Sequence, residues 1–557
     1  MVMKTTVLGM ILAAMSLGAH ADSKRYLVKF KNNQTFQSVM QSVRAAQFSS
    51  PNAMFTTNTG GAVRLLNTNA AITTSLDQIQ MLVIESNDEA AVRSLKQHPA
   101  IGLVEEEIIH PAPKPLATRG AAVVLGKKKA GKMALPWGIK AVNAPAAWQS
   151  TKGAGARVMV LDTGLDTAHP AVKSRFEAGQ NFTTFDVNDI TDEVGHGTHV
   201  AGTILADGLN GGLVGVAPEA KLLSGKVCSA RGCSSIAIAR GVNWAVQQKV
   251  DVVNMSLGGV MMSEAEAQAL VAAEAAGVMI VAASGNDGTA RVGYPAAFRT
   301  ALAVGAIDEH LKKADFSQYG PELGIVGPGV DVISSVPLGT GRAATVNADL
   351  GKGLTEINAT PFVGSPLVQN AANEVVFAGL GQAADFTGVN VSGKFALISR
   401  GTITFEEKVA NAIAAGAAGV IVFNNAPGLM QGTLTEDGSE VAIPVAMIEQ
   451  GVGETAKQLL AQGQVVRFSM SIDATDFASF QGTSMATPHV AGVAALVRAA
   501  NRNLTPAEVR ALLKATATPL SPNANNELGS GLVNAREAVA QAFTGALVAP
   551  QMAQAAN

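Results

Sequence analysis

Residues Val250 to Ala283 read VDVVNMSLGGVMMSEAEAQALVAAEAAGVMIVAA. Val250 to Asn254 is a short, near-continuous apolar run of strand length, Ser263 to Ala276 has the length of a helix, and Val278 to Ala283 is a second apolar strand. The same rhythm extends upstream: Arg157 to Leu161 and Lys221 to Val227 read as buried strands, Ser234 to Gln248 as a helix, and Val200 to Leu205 as the continuation of another. Strands apolar on both faces, alternating with helices, predict an α/β fold with a doubly wound, mostly parallel sheet. Chemistry in such folds gathers at the carboxyl ends of the strands.

The flanks follow other patterns. Strand, helix, strand is read twice between Arg25 and Ile109: Arg25 to Phe30, Gln37 to Ala46, then Met81 to Glu85, Asp88 to Gln97 and Ile101 to Ile109. This predicts a small α+β module with helices on one face of an antiparallel sheet. A proline-rich and then basic, glycine-rich connector follows, from Pro111 to Lys132, open to proteolysis. Between Val336 and Asp473 the α/β rhythm is interrupted by strands at Val391 to Arg400, Gly419 to Phe423 and Val441 to Met447 and a helix at Thr404 to Ala415, as expected of an inserted domain. Helices over Val509 to Ala517, behind a capping box at Thr505, and over Asn534 to Phe543 close the fold.

The chain has 557 residues, 48% hydrophobic and 15% charged, with a net charge of −2, a balance that argues against nucleic acid as a partner. Met1 to Ala21 opens with Lys4, runs through the apolar Val7 to Leu17 and ends on Ala19-His20-Ala21, the three parts of a secretory signal peptide. The expectation is an exported, extracellular product, with periplasmic transit, and no membrane span. Cys228 and Cys233 are the only cysteines; export predicts an intraloop disulfide between them, the alternative being two free thiols.

Three short stretches carry chemistry. Val158-Met-Val-Leu-Asp162-Thr-Gly ends a strand on a carboxylate, Gly195-His-Gly-Thr-His-Val-Ala-Gly202 places His196 between glycines at a helix start, and Gly482-Thr-Ser-Met-Ala-Thr-Pro-His489 places Ser484 at another. A serine hydroxyl is a weak nucleophile until an imidazole takes its proton, and the imidazole needs an acceptor on its other nitrogen. Asn286, just past a strand, offers an amide to a tetrahedral oxyanion, with the Ser484 backbone N–H as second donor.

In order and content these stretches resemble the three active-site motifs of the subtilisin-like serine proteases, with Gly215-Val-Ala-Pro, Asn254-Met-Ser-Leu-Gly-Gly259 and Val292-Gly-Tyr-Pro295 extending the likeness from about Leu135 to Phe543 outside the insert. The resemblance implies Asp162 as orienter, His196 as base and then acid, Ser484 as nucleophile, Asn286 as oxyanion donor, and Ser256, Leu257, Gly258 and Gly259 as a cleft wall that pairs with an extended substrate. His199 and His489, in the same motifs, are read as structural. Residues 22 to 110 resemble the family's inhibitory propeptide, and 340 to 472 resemble a protease-associated (PA) domain, in Val391-Ser-Gly-Lys-Phe-Ala-Leu-Ile-Ser-Arg-Gly401 and Ala415 to Asn424.

The full expectation is a signal peptide at 1–21, a ferredoxin-like prodomain at 22–110, a processing region at 111–133, a catalytic domain at 134–339 and 473–543, a β-rich PA insert at 340–472 and a tail at 544–557. Autocleavage is expected near Pro113, with trimming near Met133. The enzyme implied is a monomeric secreted endopeptidase for protein and peptide substrates, held inactive by its own propeptide and preferring large apolar residues. Chemistry needs no cofactor. Structural calcium is common in the family and Asp207, Asn210 and Asp308 are candidate oxygen donors, but the loop Asp207 to Val214 departs from the calcium-loop pattern, so no metal ligand is named. Rival readings are a catalytically silent peptide binder and an α/β-hydrolase esterase; intact Asp162, His196, Ser484 and Asn286 oppose the first, and the chain order of acid, base and serine opposes the second.

Overall fold

The computed structural model describes residues 24–47, 71–113, 135–184, 186–209, 212–430, 432–435 and 439–544. The expected signal peptide, the connector from residue 114 to 133 and the tail from 545 onward lie outside these residues.

β1 (Lys24–Phe30), α1 (Asn33–Gln47), β2 (Ala71–Leu76), β3 (Met81–Ser86), α2 (Glu89–Gln97) and β4 (Ile101–Glu106) build an antiparallel sheet in the order β2-β3-β1-β4, the ferredoxin-like arrangement. Asp88 starts α2 by accepting the backbone N–H groups of Ala90 and Ala91. Because side chains alternate along a strand, Tyr26, Val28 and Phe30 with Leu82 and Ile84 meet Phe36, Val39, Val92 and Leu95 on the helical face. Leu27, Met81 and Val83 point the other way, into the core of the large domain. Both faces of this sheet are therefore covered, one by its own helices and one by the rest of the protein.

The single strand expected over Ile101 to Ile109 is two. At Glu107 the chain changes partners: Glu107 N–H still donates to the Arg25 carbonyl (2.9 Å), whereas Ile108 N–H donates to Ser235 Oγ (3.0 Å) and the Ile108 carbonyl accepts from the Ser235 N–H (2.9 Å). β5 (Ile109–His110) then joins a different sheet. Glu105-Glu106-Glu107 interrupts the apolar pattern there without a glycine or proline to turn the chain, and the change of tertiary partners sets the break.

The large domain runs β6 (Arg157–Asp162), β7 (Phe176–Asn181), α3 (His196–Leu205), β8 (Lys221–Lys226), β9 (Cys228–Ser229), β10 (Gly232–Ser234), α4 (Ser235–Gln247), β11 (Val252–Met255), α5 (Glu264–Ala275), β12 (Met279–Ala283), β13 (Ala301–Ile307) and β14 (Leu323–Pro328). Seven of these strands form one sheet, β14-β13-β12-β11-β6-β8-β7, and every neighbouring pair is parallel. α4 packs on α5 and α3 on α6 (Thr483–Ala500), each pair against the sheet. β9, β10 and β5 make a separate small antiparallel sheet.

The insert leaves through β15 (Val332–Ser335) and returns through β16 (Phe477–Phe480), which pair antiparallel side by side. Between them stands an eight-stranded sheet reaching from Gly341–Asp349 to Arg467–Thr475, with helices Phe405–Ala414 and Gln450–Ala461. It buries its own cores on its two faces, around Phe395, Phe423 and Phe468 on one and Phe362, Val409 and Val445 on the other.

Candidate active site

The sheet carries Asp162 to the carboxyl end of β6 and His196 to the first position of α3. The imidazole Nδ1 lies 2.8 Å from Asp162 Oδ1, and both side chains are buried, at 1% and 0% exposure. Asp162 Oδ1 also accepts the Thr163 N–H (2.7 Å). With Nδ1–H committed to the carboxylate, Nε2 is the nitrogen left with a lone pair; it is buried and has no hydrogen-bond partner in the structure.

A residue that the sequence reading missed holds this pair in register. Asp192 accepts from the Gly195 N–H (2.8 Å), from the Thr198 N–H and hydroxyl (2.8 and 2.7 Å) and from Thr163 Oγ1 (2.7 Å), while Thr163 Oγ1 accepts the Gly197 N–H (2.9 Å). The turn after β6 is thereby tied to the first turn of α3. Its signal was an aspartate just ahead of a helix start, a common capping position. Gly197 is required at this junction, since a Cβ there would stand 2.2 Å from the Gly164 carbonyl oxygen.

Ser484 is the second residue of α6, where backbone N–H groups lack intrahelical partners. Its hydroxyl donates to the Ser256 carbonyl (3.1 Å), and Ser256 Oγ donates back to the Ser484 carbonyl (2.7 Å). The second bond has a reason in the sequence. Pro488, four residues into the helix from Ser484, has no N–H, so the Ser484 carbonyl lacks its helical donor and Ser256 supplies one. Asn286 turns its Oδ1 to the Thr483 N–H (2.9 Å) and hydroxyl (2.8 Å), which fixes the amide and leaves its NH2 group for another acceptor.

The cleft wall differs in one detail from the expectation. Gly259 exchanges both backbone hydrogen bonds with Tyr294, each 2.8 Å, so its own N–H and carbonyl are already paired within the fold. Gly259 instead meets the tail of the α+β module: a Cβ there would lie 2.9 Å from His110 Nδ1 and 3.2 Å from Pro111 Cδ. On the other side β5 pairs with β10, His110 opposite Cys233. Cys228 and Cys233 are joined by a disulfide that closes the β9–β10 hairpin.

His199 and His489 take no part in this arrangement. His199 Nε2 donates to the carbonyls of Val332 (2.9 Å) and Ala478 (3.2 Å), one on β15 and one on β16, and its ring stacks on Phe480. His489 Nδ1 donates to the Met485 carbonyl (2.8 Å). Burial pushes both far below the ordinary imidazole value, His199 to about 3, with His196 adding to the effect, and His489 to about 4. Of the candidate calcium donors, Asp207 accepts from Ser174 Oγ and the Leu209 N–H, and Asp308 accepts from the N–H groups of His310 and Lys312. Asn210 lies outside the described residues, among which no three acidic, histidine or cysteine residues cluster as a metal site would require.

A subtilase-family model matches residues 153–363 and a PA-domain model residues 363–456. The chain is 34% identical over 337 residues to subtilisin E of Bacillus subtilis (strain 168), covering 59% of this chain and 77% of that protein. It is 43% identical over 214 residues to the major intracellular serine protease of the same organism, covering 36% of this chain and 67% of the relative. Among solved structures, the psychrophilic subtilisin-like protease Apa1 from the Antarctic psychrotroph Pseudoalteromonas sp. AS-11 superposes with a TM-score of 0.55 at 30% identity, over 75% of this chain and 99% of that one. The fold is the subtilisin-like α/β class joined to a β-rich PA domain. The chain belongs to the subtilase family of serine proteases, whose catalysis needs no cofactor.

Proposed function

We propose that the protein is made as an exported, self-processing zymogen of a serine endopeptidase, with residues 24–113 as its inhibitor. The observation that carries this reading is β5, which lies as an added strand on β10 with His110 against Gly259, where a substrate would lie. Supporting it, Glu105 accepts from Ser263 Oγ (2.5 Å) and the Glu264 N–H (2.8 Å) at the start of α5, and Glu107 accepts from Ser234 Oγ at the start of α4. Carboxylates at two helix N-termini hold the module in place and complement the helix dipoles. Export rests on the tripartite segment at 1–21; among the described residues no helix is long and apolar enough to cross a membrane.

In the proposed reaction the Ser484 hydroxyl turns from the Ser256 carbonyl toward His196 Nε2 and gives up its proton as Oγ bonds to the substrate carbonyl carbon. Asp162 holds the resulting imidazolium. The Asn286 amide and the Ser484 N–H receive the oxyanion. The C–N bond then breaks as His196 returns the proton to the leaving amine, and water repeats the sequence to free the acid and restore Ser484. A preference for large apolar side chains is supported by the exposed run Val260, Met261 and Met262, which continues the cleft wall.

The test is intact mass and N-terminal sequence of the secreted wild type beside Ser484→Ala. Loss of the segment up to the region of Pro113 to Met133 in wild type alone is expected. Identical trimming of both would show that another protease matures the chain.

A further inference from the structure

The tail of the α+β module sends one side chain deep into the large domain. His110 Nε2 lies 2.8 Å from Glu266 Oε1, and the two side chains are 1% and 0% exposed. Glu266 is the third residue of α5, and its second oxygen, Oε2, is buried without a partner. The wall opposite is Gly259, whose missing side chain leaves room for the imidazole, and the floor strand is β10 at Cys233. Burial favours the neutral acid at Glu266 against the lowering influence of His110.

The position of this pocket along the cleft follows from the chain. Ser484 bonds to the carbonyl of Ser256, and Gly259 is three residues further along, roughly 10 Å at extended spacing. On the tail, the third residue after His110 is Pro113, which is buried. With Pro113 at the nucleophile, His110 is the fourth residue before the bond to be cut. A peptide that replaces the tail in the same register therefore places its own fourth residue against Glu266.

A buried carboxyl group discriminates strongly. A leucine or phenylalanine in the pocket would seal Glu266 from water and leave both its oxygens without a partner. An acidic side chain would bring a second carboxyl group into a space where burial opposes its charge. A lysine brings three donors into an enclosed space where Glu266 is the acceptor. Imidazole fits the depth, as His110 does, and returns one N–H to the carboxyl oxygen.

We propose that Glu266 is a specificity-determining residue, making the subsite four places upstream of the cut bond select histidine over aliphatic and aromatic side chains. The proposal rests on reading the tail as an occupant of the substrate cleft, and it limits the apolar preference proposed above to other subsites.

The test is a fluorogenic peptide series X-Ala-Ala-Phe, with X as His, Gln, Leu, Phe, Lys or Glu, run on the matured enzyme after fluorophosphonate titration of active sites. The expected result is a kcat/KM for X = His at least about tenfold above X = Leu, since a site built to accept a hydrogen bond rejects the analogue lacking it. Glu266→Leu should reverse the order, and Glu266→Gln should fall between. Equal or better cleavage of the Leu or Phe peptide by wild type overturns the proposal without any variant, as does an unchanged His-to-Leu ratio in Glu266→Leu. The series reports on the pocket whether or not the chain matures itself, so the Ser484→Ala comparison and this one fail independently.

Discussion

Ser256 is bonded to Ser484 in both directions, and its hydroxyl replaces the donor that a proline further along the helix removed. Replacing it by alanine leaves the Ser484 carbonyl buried and unpaired, so Ser256→Ala should lower stability by about 1–3 kcal/mol and also lower kcat, because the nucleophile's own peptide unit loses its anchor. Urea unfolding of the inactive Ser484→Ala background and turnover of the active form separate the two effects. The buried histidines give a pH prediction. Unfolding frees His199 and His489 to bind protons below their ordinary value of 6.5, whereas in the fold they stay neutral to about 3 and about 4. Their contribution is complete above about pH 6.5 and is lost as pH falls toward those values, by roughly 3 kcal/mol per histidine at pH 4. Glu266, raised by burial, acts in the opposite sense and weakens the fold as pH rises above its ordinary 4.5. The urea midpoint should therefore drop between pH 6.5 and 5, where most carboxylates are still ionised; a flat midpoint there would contradict the assignment. At this scale Asp162, His196, Ser484 and Asn286 were legible, because their residue types and flanking glycines carry the chemistry in a few adjacent letters. Asp192, the donor role of Ser256 and the contact of Glu266 with His110 were not, since each depends on a partner remote in the chain.

Elements were legible where they are apolar and long. The strands β6, β8, β11 and β12 and the helices between them stand close to their expected places. β13 and β14, rich in Gly and Ala, and β7, which is polar on its exposed side, carry little periodic signal and were not read. β4 and β5 read as one strand because no glycine, proline or other turn residue separates them. The partner of β5, β10, belongs to a hairpin closed by Cys228 and Cys233, and on the proposed function this strand is where a peptide adds. Cys228→Ser or mild reduction should cost about 2 kcal/mol, as expected for so short a loop. It should also raise KM for long peptides more than for single-residue esters, because the loosened edge is met only by an extended chain. Parallel kinetics on the two substrate types check this; an equal effect on both would place the disulfide's role in general stability.

The molecule as a whole is three bodies with unequal independence. The insert has its own cores and is tethered through two adjacent antiparallel strands, β15 and β16, which His199 clasps together. Replacing Gly341 to Thr475 with a short turn should therefore leave a folded domain that still labels at Ser484 with a fluorophosphonate; loss of labelling in soluble protein would mean that the insert shapes the site. The α+β module is different. Among the described residues its sheet carries its helices on one side, and Leu27, Met81 and Val83 on the other side belong to the core of the large domain. Cut loose from the enzyme, the module would turn that side to water, lose much of the reason for its fold and become a substrate itself. If the module is the inhibitor proposed above, opening destroys the clasp, and a molecule once unlocked would have nothing left with which to lock again.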